Sequence, residues 1–529
     1  MAFRCSSCNG SVTFDVETQQ MKGAHCGSVF APESFRVRDR GTEGEGPDPD
    51  LAVFQCGGCG AELESTEDSM VGFCPYCGGQ SVLKTNRAGR AAPERIIPFQ
   101  VTREQSARRY RSFAGKIPYL PRAMKDPAHL QSFTGIYMPY YEYDVEFGES
   151  SLEGTKEVEN HFSYRVVNTY QLDAQLEGTY RGVPYDASRY LDDEIAARTL
   201  PYDTAAERDY HPAYLAGFYA DAATVEGELY HEDARNQAVK DVVDEVAAKV
   251  KADSGIEVNK GSARVEATNR GRHRVLYPMW FLTWKRGDRV AYAVVNGQSG
   301  KVVSDLPLDM RAFALGCGAV SAALFAVLEL LFQPTPMLTS VLSLIAAFLM
   351  ALALRSGTKT IFEKQTHAKD KGWTAGNASA ETEPASGPSE GQGTERAKEG
   401  RKTRAGTGLT VLAVILVVAG GFSYWQNMIS FGKLVALLVL LVAVLVFRRV
   451  SAWQRDIPEK EPKKAALVLL AAVILNVIVI FVSPVNDLWY YLGDAVCILG
   501  LIFASEWILQ TYNVGTTRPM PKLFDRKEV

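Results

Sequence analysis

The stretches Cys56-Gly-Gly-Cys59 and Cys74-Pro-Tyr-Cys77 decide how the N-terminal part of this chain folds. Two pairs of cysteines, each separated by two residues, supply four thiolates for one tetrahedral zinc ion. A glycine follows each pair, at Gly60 and Gly78, where the backbone has to turn so that its N–H groups face the sulfurs. The pattern predicts a four-cysteine zinc ribbon with one bound Zn²⁺.

An earlier cysteine cluster repeats this spacing with one member missing. Cys5, Cys8 and Cys26 each lie 51 residues before a cysteine of the later cluster, but the fourth position is Gly23. His25 is a candidate replacement, although ligands adjacent in sequence strain a tetrahedral site. Three alternatives stay open. The first ribbon binds zinc weakly or not at all, His25 is its fourth ligand, or an external molecule supplies the fourth ligand. A catalytic zinc would need an acid or base partner, and none lies close to either cluster in the sequence. Both ribbons are therefore predicted to be structural or to act as adaptors.

Charge divides the 529-residue chain into two halves. Residues 1–307 carry 35 basic and 44 acidic side chains, whereas residues 308–529 carry 22 and 17. An acidic front half argues against nucleic-acid binding, which needs an excess of Lys and Arg to displace counterions from phosphates. We therefore expect no nucleic-acid partner.

The second half is apolar enough to cross a membrane. Six runs approach the 17–25 residues that a bilayer-spanning helix needs, and the fourth is the shortest. The predicted spans are 312–332, 337–354, 408–425, 434–447, 465–482 and 488–510.

Basic residues on alternate loops set the predicted orientation. The 355–407 loop holds 10 Lys and Arg, the 448–464 loop holds 6 and the tail after residue 510 holds 4, whereas the opposite turns contain only Lys433. The positive-inside rule then places both termini in the cytoplasm. Nothing at the N-terminus resembles a signal peptide, and thiols in a cytoplasmic head stay reduced.

Residues 94–307 are long enough for a core of their own. Apolar periodicity predicts helices over 103–116 and 231–251. Alternating segments, of which 275–284 is the longest, predict antiparallel strands, and Asn296-Gly297 marks a hairpin. The unit is predicted to be α+β.

The sequence contains no motif that is typical of a catalytic site. The Gly297–Lys301 segment ends in Gly-Lys, but its glycine spacing and strand-like neighbours do not fit a phosphate-binding loop. We therefore predict that the chain is not an enzyme. Asn476 and Asp494 are the deep polar residues of the predicted spans, and intramembrane polar groups suggest either interhelical hydrogen bonding or an ion path.

Together these patterns predict a multi-domain chain with two small zinc ribbons, an α+β domain with an antiparallel sheet and a six-helix transmembrane domain. The predicted divisions are a degenerate zinc ribbon (1–35), a flexible linker (36–53), the four-cysteine zinc ribbon (54–93), the α+β cytoplasmic domain (94–307), a transmembrane hairpin (308–355), a disordered cytoplasmic loop (356–407), four transmembrane helices (408–510) and a cytoplasmic tail (511–529).

Several motifs resemble one known family. They are the paired ribbons, the segment Tyr214-Leu-Ala-Gly-Phe-Tyr-Ala-Asp221 and the run from Tyr277-Pro-Met-Trp280 through Asn296-Gly-Gln-Ser-Gly-Lys301. The chain is similar over residues 1–310 to bacterial membrane-anchored proteins with TFIIB-type zinc ribbons, which are often mislabelled as primosomal helicases. The resemblance implies a place in envelope-stress systems, with a flotillin-like SPFH protein and a phage-shock protein A-like protein as partners. Gly23, the additional spans and the long loop depart from the family.

The expected function is that of a scaffold in the bacterial cytoplasmic membrane which recruits such a partner. A transporter or channel with a cytoplasmic regulatory head is the alternative, and a membrane-tethered nucleic-acid binder is a weaker one. Membrane lipid is an expected partner because basic loop ends beside the inner leaflet attract anionic headgroups. Association of several copies is compatible with the sequence but is not specified by it.

Overall fold

The computed structural model of the protein describes most of the ribbons, the head and the membrane helices. The described residues are 3–37, 51–66, 73–79, 82–84, 92–160, 165–331, 335–367, 370–374, 428–453 and 461–520. The predicted span 408–425 lies outside them, as do most of the predicted linker, most of the 356–407 loop and the last nine residues.

The first ribbon is a small antiparallel sheet of three strands that rests against the head. Its inward side chains alternate with exposed ones, as in a strand with one buried face. The Phe14 amide donates to the Ala216 carbonyl oxygen over 2.9 Å, and the Phe14 ring packs edge-on against Tyr214. The strands are β1 Val12–Asp15, β2 Gln20–Gly23 and β3 Val29–Phe30.

The second ribbon and the head share one antiparallel-rich sheet of twelve strands among the described residues. The strands are β4 Leu51–Cys56, β5 Glu62–Thr66, β6 Val82–Lys84, β7 Arg95–Ile96, β8 Thr134–Asn160, β9 Arg165–Asp186, β10 Arg208–Asp209, β11 Tyr219–Ala220, β12 Glu257–Arg286, β13 Arg289–Asn296 and β14 Val302–Asp305, with β15 Arg518–Pro519 from the C-terminal end of the chain.

The connection between ribbon and head passes through β11, which pairs with β5 on one side and with β8 on the other. The predicted boundary between residues 54–93 and 94–307 therefore does not separate two folding units. Buried side chains of the ribbon, among them Leu63 and Tyr76, belong to the same apolar cluster as Tyr140 and Phe281 of the head.

Strands β8, β9 and β12 are far longer than the others, with 27, 22 and 30 residues. Beyond their shared part with the main sheet they pair only with one another. We call this extension, formed by residues 146–160, 165–179 and 257–268, the arm. One face of the arm and of the adjoining sheet is covered by helix α3 (His231–Ser254) through buried Ala234 and Ala238.

The head helices form close to where the sequence predicts them. Helix α1 begins with a reciprocal capping box in which Thr102 and Gln105 bond each other's backbone amides. Helix α3 ends at Gly255, whose φ of +69° suits a left-handed cap. The helices are α1 Arg103–Gly115, α2 Asp193–Thr199 and α3 His231–Ser254.

The hairpin at Asn296 is confirmed. Its side-chain oxygen accepts from the amides of Gln298 and Ser299, and the Gly300 amide donates to the Asn296 carbonyl oxygen. Gly300 has a φ of +72°, which favours glycine. The segment links β13 to β14 and does not precede a helix, so it is not a phosphate-binding loop.

The described C-terminal part is helical and apolar. The first described helix of this part contains a shorter apolar stretch, Met310–Leu324, and the four helices that follow it are long and apolar enough to cross a membrane. The predicted count of six spans therefore exceeds the four that the described residues support. The helices are α4 Met310–Leu331, α5 Pro336–Gln365, α6 Met428–Trp453, α7 Glu461–Val482 and α8 Leu488–Gly515.

Two helices of this part continue beyond the predicted spans. Helix α5 continues ten residues past 355, and residues 370–374 contact the head, where the Lys371 amide donates to an Asp193 carboxylate oxygen. Helix α8 likewise continues past 510, and β15 pairs with β13 of the head sheet. Polar side chains and contacts with the head stabilise these extensions, which lie outside the apolar runs, so hydropathy alone does not predict them.

Candidate metal centre

The second cysteine cluster brings four buried sulfurs together. The Sγ atoms of Cys56 and Cys77 are 3.5 Å apart, and those of Cys59 and Cys74 are 3.7 Å apart. All four residues are at most 2% exposed, and their sulfurs lie within 4.8 Å of one another. A tetrahedron with metal–sulfur bonds of about 2.3 Å has edges of about 3.8 Å, so the four thiols fit one zinc-sized ion.

The backbone around the sulfurs forms two matching knuckles. In the first, the Cys56 amide donates to the Ala61 carbonyl oxygen and the Gly60 amide donates to that of Cys56; in the second, Cys74 and Gly79 form the equivalent bond over 2.7 Å. Gly60 and Gly78 have φ values of +79° and +70°. The glycines therefore stand where the turn requires a left-handed residue.

The four thiols perturb one another's pKa values. Hydrogen bonding to the Cys56 sulfur, followed by that to Cys59 and Cys77 and by burial, raises the pKa of the Cys74 thiol. Hydrogen bonding from Cys59 lowers the pKa of Cys56. Four thiolates cannot coexist at these distances because like charges repel, and a divalent cation removes that obstacle.

The second knuckle is attached to the head through Pro75 and Tyr76, the two residues between its cysteines. The Tyr76 hydroxyl donates to Asp221, which also accepts from Ser188. The Thr283 hydroxyl donates to the Pro75 carbonyl oxygen, and the Tyr292 hydroxyl donates to that of Tyr76. A metal that orders this knuckle therefore also orders β12 and β13.

The first cluster is a copy of the second with three cysteines in place of four. The Cys5 amide donates to the Gly10 carbonyl oxygen and the Gly23 amide to that of Ser28, each over 2.9 Å, so both knuckle turns are kept. The sulfurs of Cys5 and Cys26 are 3.4 Å apart. A Cβ atom on Gly23 would lie 2.9 Å and 3.1 Å from these two sulfurs. Gly23 thus stands where the fourth ligand of the later ribbon stands.

The structure brings together three of the four ligands predicted for the first cluster. Cys5, Cys8 and Cys26 form a set of possible ligands, and His25 does not belong to that set. The His25 ring and the Cys8 sulfur both lie beside Gly10. Cys26 is exposed, and hydrogen bonding from Ser28 lowers its pKa to about 6. The two clusters could each hold a metal ion, with a full ligand set only in the second.

The two predicted intramembrane polar residues lie together between α7 and α8. The Asn476 amide nitrogen donates to a carboxylate oxygen of Asp494 over 3.2 Å, and both residues are buried. The side-chain oxygen of Asn476 and the other carboxylate oxygen of Asp494 have no hydrogen-bond partner among the described residues. The pair can hold two helices together, and it retains acceptor capacity.

Sequence reasoning missed the residues that attach the knuckle to the head. Tyr76 lies within the second cysteine motif, but Asp221, Ser188 and Thr283 lie 112 to 207 positions away from it, and no spacing rule connects them. The one available signal was the aromatic residue inside the Cys-Pro-Tyr-Cys stretch, since a tyrosine that is buried needs a hydrogen-bond partner.

Comparison with known proteins gives one relative. The chain is similar to the uncharacterized protein YdjG of Bacillus subtilis (strain 168), with 23% identity over 337 residues, which is 62% of this chain and 97% of the relative. No family model matches the chain, and no solved structure matches it. The function therefore has to be argued from the chemistry and geometry of this chain.

Proposed function

We propose that this chain is a membrane-anchored scaffold that presents a zinc-stabilised head to a peripheral protein at the cytoplasmic face of a bacterial cell membrane. The observation that carries the proposal is the arm. Strand β9 forms one of its two edges, because it pairs with β8 and its other side pairs with no strand in the part of the chain that the structure describes. Open strand edges add strands from other chains.

The arm offers apolar contacts as well as backbone groups. Val167 and Tyr170 on β9 are 47% and 37% exposed, on opposite faces of the strand because they are three residues apart. Large exposed apolar side chains on an edge strand favour association with a partner over a solvated, unpaired state. The arm is therefore the proposed docking element.

Zinc is the proposed metal of the second ribbon, and its proposed role is structural. Four thiolates with no position left for water are typical of structural zinc sites, whereas catalytic sites keep one position open. The burial of all four cysteines supports this role. In the first ribbon a metal would need a further ligand, so one zinc per chain is proposed.

The proposed membrane topology has six spans with both termini in the cytoplasm. Its support is the excess of Lys and Arg in alternate loops. The head contacts the end of α8 through β15 and the end of α5 through Lys364, which bonds Asp305 over 2.8 Å. These contacts favour a head held in a fixed position close to the lipid surface.

The proposed partner is a flotillin-like SPFH or phage-shock-type protein, on the strength of the family resemblance. The test is recovery of the tagged full-length chain from native membranes in mild detergent, followed by mass spectrometry of bound proteins. Val167→Glu with Tyr170→Glu should reduce the recovered partner at least tenfold, because a charge must then be desolvated at the interface. Val29→Glu, at a similarly exposed valine of the first ribbon, should leave it unchanged.

If the double variant at Val167 and Tyr170 recovers as much partner as the Val29 variant does, the docking site does not lie on the arm. Loss with Val29→Glu alone would assign it to the first ribbon. Recovery of no protein in stoichiometric amount with the unmodified chain would contradict the scaffold proposal itself.

A second candidate function, a transporter or channel with a regulatory head, is favoured by the Asn476–Asp494 pair. Buried intramembrane carboxylates commonly mark ion or proton pathways, and both residues keep an oxygen without a partner among those described. Flux into vesicles that contain the purified chain, lost with Asp494→Asn and kept with Glu506→Gln, would support it. Absence of flux would leave the pair as a helix-packing contact.

A further inference from the structure

A cavity of about 620 Å³ lies at the junction of the head with the membrane helices. We call it the juxtamembrane cavity. Its head side is formed by the 3-10 turn that contains Met124 and by Trp284 and Ala291 of the sheet. Its membrane side is formed by Met310, Ile361 and Val514, which belong to α4, α5 and α8. The volume is in the range of small-molecule sites, roughly 300–1,000 Å³.

Three basic side chains line the same cavity. Lys285, Arg286 and Arg289 surround the tight turn between β12 and β13. Lys285 and Arg286 are exposed, whereas Arg289 is half-buried and bonds the Thr517 hydroxyl over 2.8 Å and the Val514 carbonyl oxygen over 2.9 Å. The cavity thus combines an apolar wall with cationic groups at the ends of the membrane helices.

An aromatic ring in the cavity wall is fixed by its neighbours. Trp284 lines the cavity and is 8% exposed. The ring is held by Tyr110, at 5.4 Å between centroids, and by His129, at 5.2 Å. The wall therefore offers a rigid apolar surface beside the basic side chains.

We propose that the juxtamembrane cavity binds an anionic phospholipid of the cytoplasmic leaflet. The lysine and arginine side chains pair with the phosphodiester, and the apolar wall, which includes the Trp284 ring, takes the first part of an acyl chain. Basic pockets beside membrane helices bind lipid headgroups of this charge. Free phosphate would meet the charges but leave the apolar wall in contact with water, so the amphiphile fits better.

The proposal is independent of the scaffold function and is tested on the full chain. Native mass spectrometry in a mild detergent counts the phospholipids retained after incubation with phosphatidylglycerol or, separately, with phosphatidylcholine. We expect one retained phosphatidylglycerol, with phosphatidylcholine retained at least tenfold less. Lys285→Gln with Arg286→Gln should reduce phosphatidylglycerol retention by about tenfold.

The matched control is Lys359→Gln, which removes a basic charge from α5 at a side chain that is 61% exposed and pairs with Glu363. It lies two residues from the lining residue Ile361 and is not part of the lining. Retention unchanged by Lys359→Gln but lost in the double variant supports a specific site. Equal losses in both would show general attraction of acidic lipid to basic residues and would overturn the proposal.

A variant that fills the cavity keeps the test decisive if the charge variant does not fold. Ala123 is exposed and lines the cavity, whereas Ala128 is exposed and does not. Ala123→Trp should abolish phosphatidylglycerol retention and Ala128→Trp should not. Retention unaffected by Ala123→Trp, or competition by millimolar inorganic phosphate that is as strong as competition by lipid, would contradict a phospholipid site in this cavity.

Discussion

Gly23 is the single residue that separates the two cysteine clusters. The backbone hydrogen bonds of both knuckles are present in the first ribbon, and a Cβ atom added at Gly23 would lie so close to two sulfurs that they must move apart to admit it. We therefore predict that Gly23→Cys completes a second four-cysteine site. The purified variant should contain one more zinc per chain than the unmodified protein, measured by elemental analysis.

Ala24→Cys is the matched control, because it adds a thiol at the neighbouring exposed position without changing Gly23. Its zinc content should equal that of the unmodified chain. If Gly23→Cys adds no zinc, then the sulfurs of the first ribbon are not arranged for a metal. The 51-residue correspondence between the clusters would then have no counterpart in metal binding.

Glu142 is a buried acid whose protonation depends on folding. Burial raises its pKa to about 8, and it accepts a short hydrogen bond from Tyr277 while Arg95 lies 4.0 Å away. In the unfolded chain its pKa is about 4.3. The folded state therefore binds an additional proton at Glu142 between these values, so the contribution of Glu142 to stability is fully present below about pH 4.3 and is lost as the pH rises through about 8.

Glu142→Gln should remove this part of the pH dependence, because the amide keeps the shape of the neutral acid. Between pH 6 and pH 8 the melting temperature of the unmodified head should fall, and that of the variant should fall less. The check is thermal unfolding followed by tryptophan fluorescence at several pH values. Parallel curves for the two proteins would show that Glu142 is ionised in the folded state at neutral pH.

The second knuckle is the element on which the head depends most. Its backbone carbonyl oxygens accept hydrogen bonds from Thr283 and Tyr292 of the sheet, and Tyr76 bonds Asp221. We predict that Cys74→Ser lowers protection from hydrogen exchange not only at residues 73–79 but also in β12 near Thr283 and in β13. Loss of a structural metal or a buried network typically costs several kcal/mol.

Hydrogen exchange monitored by mass spectrometry on the full chain measures this directly. Cys317→Ser is the control, since that cysteine is exposed on α4 and far from the ribbon in sequence. A change confined to residues 51–84 would mean that the ribbon is a detachable module, as the sequence alone suggests.

The elements were predictable where a local pattern determines them. The helices over 103–116 and 231–251, the Asn296 hairpin and the second cysteine cluster follow from capping, turn chemistry and ligand spacing, all of which are local. The lengths of β8, β9 and β12 do not, since register shifts interrupt their pairing, for example between Val265 and Ala267, and break the alternation that a sequence reader follows.

The joint between ribbon and head also escaped sequence reasoning. Strand β11 has two residues, and it pairs with β5 and β8 across large separations in sequence. A two-residue strand has no detectable periodicity. The attachment of the knuckle through Asp221 is equally non-local, so the sequence predicts a separate ribbon where the structure has one continuous sheet.

At the scale of the whole molecule, the division into a polar head and an apolar membrane part follows from composition. The hydrophobic effect is roughly proportional to apolar area, so a sum over residues is enough to identify the membrane part. How the halves meet does not follow from composition. The contact depends on a few polar pairs, such as Arg518 with Asp192 at 2.9 Å and Lys364 with Asp305 at 2.8 Å. These pairs hold the ends of α8 and α5 against the head.

Zinc content of the purified full-length chain, compared with that of Cys74→Ser, tests the central claim most directly. That claim is a head built around one structural zinc in the second ribbon, with a first ribbon that lacks a full ligand set. Elemental analysis should therefore give one zinc per unmodified chain and none per variant chain. Two zinc ions in the unmodified protein, or one retained after Cys74→Ser, would contradict it.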